Sequence, residues 1–299
     1  MGVYVLAKII ATLGPASFHL TKEMDEYVDM YRINLSHAPL DTLQECLHRI
    51  HKASDIPVCI DTEGSQLRTG DFGLKLNPYR TGDYIKITDA CGDKTQLSLT
   101  PRIDLKLGDV ITTCNTEFTM ESCDFAKVTM GGTVEPHKAA SLSREIELAS
   151  ITVKDKSAIN IAEVLGVQTY LLSFTEHPKD ILDFRALISN TKDIFAKIES
   201  TKGIAWLKEI EEISDALLID RHDMSREIGL IKTAFNVREI IKKSRKPVYV
   251  SVDFSFTTEH IGDITGLIDM GAQGLLLTKD TAAGPDPVGT VKHMRELCS

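Results

Sequence analysis

Eight short apolar runs, at positions 7–13, 30–35, 57–62, 169–174, 194–199, 216–221, 247–252 and 274–280, constrain this chain more than anything else in it. Each is bounded by polar or charged residues, which is how a strand buried on both faces of a parallel sheet reads. Nearly all are followed by a helical pattern, over 22–30, 40–53, 157–165, 178–189, 202–213, 226–243, 257–270 and 287–297. Eight strand–helix units in succession predict an α/β fold closed into a (β/α)8 TIM barrel rather than an open sheet. The exception follows the third strand, where residues 71–133 carry turn signals such as Thr81-Gly82-Asp83 and Cys91-Gly92-Asp93 between short β-rich runs. That stretch reads as a small inserted β domain, with 1–70 and 134–299 left to the barrel. An insertion in a βα loop hangs over the carboxyl ends of the strands, so a lid is the natural expectation, and a structural appendage or oligomer contact is the other reading.

The formal charge of −9 argues against a nucleic-acid partner, because a phosphate backbone demands a basic stripe and none is found. An anionic substrate then needs local basic residues or a metal. No apolar run approaches the roughly 20 residues of a membrane span. Residues 1–6 lack the basic-then-apolar layout of a signal peptide, so a cytoplasmic protein with no membrane partner is expected. The cysteines Cys46, Cys59, Cys91, Cys114, Cys123 and Cys298 show no metal-type pairing and read as reduced packing residues.

The ends of the strands carry the chemistry. Lys197-Ile198-Glu199 closes the fifth run and Asp223 lies just past the sixth, so a lysine and two carboxylates are expected at one mouth of the barrel. Two carboxylates suit a hard divalent cation, and a lysine suits charge developing on a phosphoryl group or an enolate. A solvated salt-bridge cluster is the alternative reading of the same residues.

Further polar segments follow the first three strands: Ala11-Thr12-Leu13-Gly14-Pro15-Ala16-Ser17, Arg32-Ile33-Asn34-Leu35-Ser36-His37, and Asp61-Thr62-Glu63-Gly64-Ser65-Gln66-Leu67-Arg68-Thr69-Gly70. With Ala196-Lys197-Ile198-Glu199 and Arg221-His222-Asp223-Met224, they closely resemble the signature segments of pyruvate kinases, in order and over essentially the whole chain. The resemblance implies phosphoryl transfer between phosphoenolpyruvate and ADP, giving pyruvate and ATP, with Mg2+ or Mn2+ as cofactor. It makes Glu199 and Asp223 ligands of the divalent metal, and Lys197 the residue beside the transferring group that steadies the enolate. Arg32 contacts the phosphoryl oxygens, with Arg68 in support. Asn34, Ser36, Asp61 and Thr62 match the family's monovalent-cation (K+) ligands, although Asn34 and Ser36 also read as loop-capping residues. His37 matches a residue near the nucleotide or is satisfied locally, and Lys138 reaches the nucleotide phosphates or is an ordinary surface lysine.

Departures from the family pattern are as informative. Val252 stands where the family has the threonine associated with protonating the enolate, and Ser251, by alternation, points to the other face. Asp253 at the strand end is a conceivable substitute. His222 and Ser225 replace two glycines flanking the metal-binding aspartate. Glu63, Ser65 and Gln66 replace a lysine, a proline and the glutamate that accompanies potassium dependence, so a potassium requirement is doubtful. The strand-eight segment Thr278-Lys279-Asp280-Thr281-Ala282 keeps the family's outline with altered charge. The chain is expected to stop after the last barrel helix, without the family's C-terminal domain, so any oligomer forms through other surfaces. These changes leave two alternatives to the kinase: a metal-dependent lyase or transferase acting on a pyruvate or enolpyruvate unit without ADP, and a non-catalytic phosphoenolpyruvate-binding relative.

Overall fold

A computed structural model describes residues 6–299 apart from 65, 73–75, 90–92, 94, 145, 147, 190 and 256; the Cys91-Gly92 turn signal and Ser65 lie outside the described residues. The chain divides into two compact units, Met1–Gly64 with Ser150–Ser299, and Ser65–Ala149. The second runs wider than 71–133 on both sides. Arg68–Thr69 pairs antiparallel with Gln96–Thr100, and Ser141–Leu142 with Val110–Thr113, so both flanks are drawn into its sheet.

The first unit is a closed barrel of the parallel strands Lys8–Thr12, Met30–Asn34, Val58–Asp61, Thr169–Leu172, Asp193–Ile198, Ala216–Ile219, Val248–Val252 and Gly274–Leu277. Closure is made by the eighth strand against the first, with Lys8 opposite Gly274 and Ala11 opposite Leu277. Alternation sorts the side chains into two layers. Ile10, Cys59, Leu171, Phe195, Leu218 and Tyr249 form the barrel's interior cluster. Their neighbours, among them Ile9, Ile60, Ile198 and Val250, pack instead against helix residues such as Leu47 and Ile240. Each side chain so buried stabilises the fold by about 1.5–3 kcal/mol. In the fifth strand this two-residue period runs Phe195, Lys197, Glu199, so an interior apolar face ends in an ammonium group and a carboxylate at the mouth.

The surrounding helices form where amphipathic spacing and caps coincide. Leu40–Ala53 buries Leu43, Leu47 and Ile50 at helical spacing. Val153–Val164 begins at a capping box in which Thr152 and Asp155 satisfy each other's backbone N–H groups. Some helices differ from expectation. Instead of one helix over 226–243 there are two, Arg221–Ile228 and Leu230–Lys243, separated by Gly229 at φ 82°, a value that suits glycine alone. The helix expected over 202–213 breaks at Trp206 into Thr201–Ala205 and Leu207–Ile213. The helix expected over 22–30 is only Thr21–Met24, because Asp25 and Asp29 turn to other partners: Asp25 takes the Tyr31 hydroxyl at 2.8 Å, and Asp29 the backbone N–H of Ile9 at 2.7 Å.

The second unit is all β among its described residues, with a seven-stranded sheet and a separate two-stranded pair, Asn77–Tyr79 with Gly132–Val134. It has its own core around Phe118, Ile111, Leu97 and Val128, where Tyr79 packs edge-on to Phe118 with ring centroids 5.1 Å apart. No described helix in either unit is long and apolar enough to cross a membrane.

Candidate active site

The mouth of the barrel is organised around Lys197, the last inward-facing residue of the fifth strand. Its ammonium nitrogen lies 2.9 Å from Glu199 Oε1, 3.3 Å from Asp61 and 3.8 Å from Asp220 Oδ2, and donates to Ser173 Oγ at 3.0 Å. Burial by itself would strip its proton, but the carboxylates of Asp61, Glu199 and Asp220 outweigh that and drive its pKa upward, so it stays charged.

Glu199 follows two residues later and is also buried. Its Oε2 accepts the backbone N–H of Phe174 at 2.6 Å, which that residue presents from a left-handed conformation at φ 48°. Positive φ in a bulky residue is costly, and persists only where the surroundings enforce it. Oε1 is different. Lys197 stands near enough for an ion pair but not aligned for a hydrogen bond, and Oε1 has no hydrogen-bond partner among the described residues. Burial first, then repulsion from Asp220 and Asp223, pushes the Glu199 carboxyl up to about 8 against the pull of Lys197.

The sixth strand supplies the rest. Asp220 caps the helix Arg221–Ile228, accepting the N–H groups of His222 and Asp223 at 3.2 and 3.5 Å. Asp223 sits in that helix's first turn, where the positive end of the helix dipole favours a negative charge. Oxygens of Glu199, Asp220 and Asp223 all lie within 4.8 Å of one another, a set suited by number and hardness to a divalent cation. The unfilled lone pairs of Glu199 Oε1 fit the same ligand.

Behind the cluster lies a fully satisfied ion network. Arg32 spans from its strand to Asp61 through Nε at 2.7 Å and through Nη2, and to Thr12 Oγ1 through Nη1 at 2.8 Å. Burial acts to raise the Asp61 pKa, but Arg32 and Lys197 together hold it below the usual carboxylate range. Ser173 Oγ lies 2.9 Å from Asp61 Oδ1 and 2.7 Å from the Thr62 carbonyl oxygen, two acceptors that share its one hydroxyl proton.

The structure therefore brings together Lys197, Glu199, Asp223, Arg32 and Asp61 of the residues singled out by sequence. The others are differently engaged or belong to the second unit. Asn34 Oδ1 accepts the backbone N–H of Ser36 at 2.9 Å, the loop-capping arrangement, and Thr62 Oγ1 accepts the Ser173 N–H. His37 is exposed in the same turn, its N–H donating to the Asn34 carbonyl oxygen at 3.1 Å. Arg68 and Lys138 belong to the second unit. There Arg68 Nη1 donates to the His137 carbonyl oxygen at 3.3 Å, while Lys138 pairs with Glu135 at 3.1 Å. Asp253 is paired with the exposed Lys279 at 3.1 Å.

The seventh strand requires a correction. Ser251 and Val252 do face opposite ways, but Ser251 is the one on the barrel's inner side. Its hydroxyl donates to Asp220 Oδ1 at 3.3 Å and accepts the Arg221 N–H at 3.0 Å. Val252 packs in the layer between strands and helices. Three further residues escaped the sequence reading. Asp220 and Ser173 were hidden because a carboxylate or hydroxyl at a strand end carries no signal of its direction. Asp155 was hidden because its partners, the N–H groups of Glu63 at 2.7 Å and Gly64 at 3.2 Å, are about ninety residues away in sequence. Gly64 needs to be glycine at that spot: its φ is +68°, and a Cβ would stand 2.8 Å from Cβ of Ser173.

Fold and site together define a class: (β/α)8 barrels that gather an ammonium group and carboxylates where strands five and six end. Residues 5–291 match the family model described as the barrel domain of pyruvate kinase, and the chain belongs to that family. It is 28% identical over 325 residues to a pyruvate kinase of Thermotoga maritima, covering 97% of this chain and 70% of that protein. Pyruvate kinases of Thermoplasma acidophilum (27% identical) and Staphylococcus saprophyticus (29% identical) also match over 97% of this chain, which spans 57% and 56% of their lengths.

Proposed function

We propose that this barrel catalyses phosphoryl transfer between phosphoenolpyruvate and ADP, using Mg2+ or Mn2+. The reading rests on one observation above all: Lys197 stands 2.9 Å from Glu199 in a buried mouth where Asp223 closes an all-oxygen cluster. Glu199 and Asp223 would hold the cation, which when bound supplies positive charge to neutralise phosphoryl and enolate oxygens. Lys197 offers an N–H to the enolate oxygen as the bond to phosphorus breaks. It needs no reorganisation, since Asp61 and Ser173 already fix its direction. Arg32 is spent on Asp61 and Thr12, so in this reading it acts chiefly by holding Asp61 and adding positive charge behind the phosphoryl group. Asp61 in turn is occupied by two cationic side chains, and the reading does without a monovalent cation there. Arg68 and Lys138, in the second unit, stay candidates for phosphate contacts on the strength of the sequence resemblance. His37 stays a nucleotide-side candidate.

One observation favours a second reading, a lyase or transferase working on an enolpyruvate unit without ADP. Val252 faces the strand–helix layer and brings no hydroxyl to the site, so the family's route for protonating the enolate is not reproduced by that residue. Purified protein with Mg2+ and phosphoenolpyruvate separates the two. Pyruvate formed only when ADP is added supports the kinase; turnover without ADP transfers the case to the second reading. Lys197→Met should lower turnover by about 10²–10³-fold, and unchanged turnover in that variant sinks both.

A further inference from the structure

Asp220 brings a third carboxylate to a cluster in which the sequence pointed to two. Its two oxygens have separate surroundings. Oδ1 is used as a helix cap and as the acceptor of the Ser251 hydroxyl at 3.3 Å. Oδ2 is turned the other way, 3.8 Å from the Lys197 ammonium nitrogen. A cap requires only one oxygen, so Oδ2 is left for a ligand. A second observation bears on the same space: Glu199 Oε1 is buried there without a hydrogen-bond partner among the described residues. Lys197 does not fill that need. It stands 2.9 Å from Oε1 as an ion pair without donating a hydrogen bond to it, and its donations go to Asp61 and Ser173. Arg226 reaches Asp223 only from the solvent side, at 3.4 Å with half of its side chain exposed, and such a pair contributes little. The carboxyl groups of Glu199, Asp220 and Asp223 thus have one buried ammonium group beside them among the described residues, and Asp61 engages it as well.

Building on the cation-binding reading above, we infer that Asp220 is a third protein ligand of the divalent cation, so that this barrel holds its metal through three carboxylates before any substrate arrives. Magnesium sites commonly have one or two protein carboxylates and complete the shell with water and substrate phosphates. A third raises affinity for the bare cation and leaves one fewer position for substrate oxygen. Ser251 then has a role as well: its hydroxyl fixes the Asp220 carboxylate so that Oδ2 keeps its direction.

The test is a Mn2+ titration of the full chain without substrate, with free Mn2+ read by electron paramagnetic resonance, for wild type, Asp220→Asn and Asp223→Asn. Asparagine preserves the capping oxygen and removes the charge. Asp220→Asn should weaken Mn2+ binding by at least about 10-fold, the least that loss of even an outer-shell partner costs, while circular dichroism is unchanged, and Asp223→Asn should weaken it likewise. If Asp220→Asn does not fold, Asp220→Ser, which also caps, carries the same expectation. Wild-type affinity in the Asp220 variant together with loss in the Asp223 variant makes Asp220 a cap alone; the inference then falls and the cation site stands. If wild type binds no Mn2+, the cation site falls and the inference with it.

Discussion

Lys197 is a buried cation among buried anions, and removing one member of such a group leaves the others unbalanced. Lys197→Met should therefore destabilise the fold by about 3–5 kcal/mol, measured as a drop in urea midpoint at constant slope. A saturating divalent cation should restore part of that loss, because it brings positive charge back to Glu199 and its neighbours. Glu199 makes a separate pH prediction. Its carboxyl is pushed up to about 8 in the folded chain, against an ordinary 4.5. Between those values the native state keeps a proton that the unfolded state has lost. Its contribution is therefore full below pH 4.5, declines as pH rises toward 8, and is flat beyond. In cation-free buffer Glu199→Gln should gain stability relative to wild type as pH goes from 5 to 8. A difference independent of pH would show that Glu199 ionises normally in the native chain.

At the level of elements, the loop after the third strand is held from a distance. Asp155 is buried, closes the capping box with Thr152, and takes the N–H groups of Glu63 and Gly64. Asp155→Ala leaves those donors without their acceptor and should cost about 3 kcal/mol, read from chemical denaturation; a loss below 0.5 kcal/mol would mean that water replaces the carboxylate. The strands themselves were visible in the apolar runs, since burial on both faces leaves an unmistakable composition. Helix ends were less so. Gly229 and Trp206 interrupt patterns that hydrophobic spacing alone would continue, because one backbone angle can end a helix without disturbing the periodicity on either side. Lys197 and Glu199 could be placed at one mouth from sequence because two-residue spacing on a strand puts them on one face. The same rule separated Ser251 from Val252 but could not tell which of the two faced inward.

For the whole molecule, the proposed cation site would link binding to folding. At a Mg2+ or Mn2+ concentration 100 times its dissociation constant, the chain should gain about 2.7 kcal/mol, seen as a rise in melting temperature. Asp223→Asn should lose most of that gain. An equal rise in both proteins would place the cation elsewhere on the chain. The measurement requires the two units to be followed separately, since each has its own core and need not melt with the other.

Local order in the chain is enough to specify eight buried strands, their alternation with helices, an inserted β segment, and a lysine and a glutamate sharing one strand face, for these depend on residues a few positions apart. Closure of the barrel was needed to bring Asp61 and Ser173 onto Lys197, to turn Asp220 into the Glu199 cluster, and to point Ser251 inward. Those contacts join residues from 21 (Glu199 to Asp220) to 136 (Asp61 to Lys197) positions apart, and their geometry is set by the packing of strands against one another, which no stretch of sequence encodes alone.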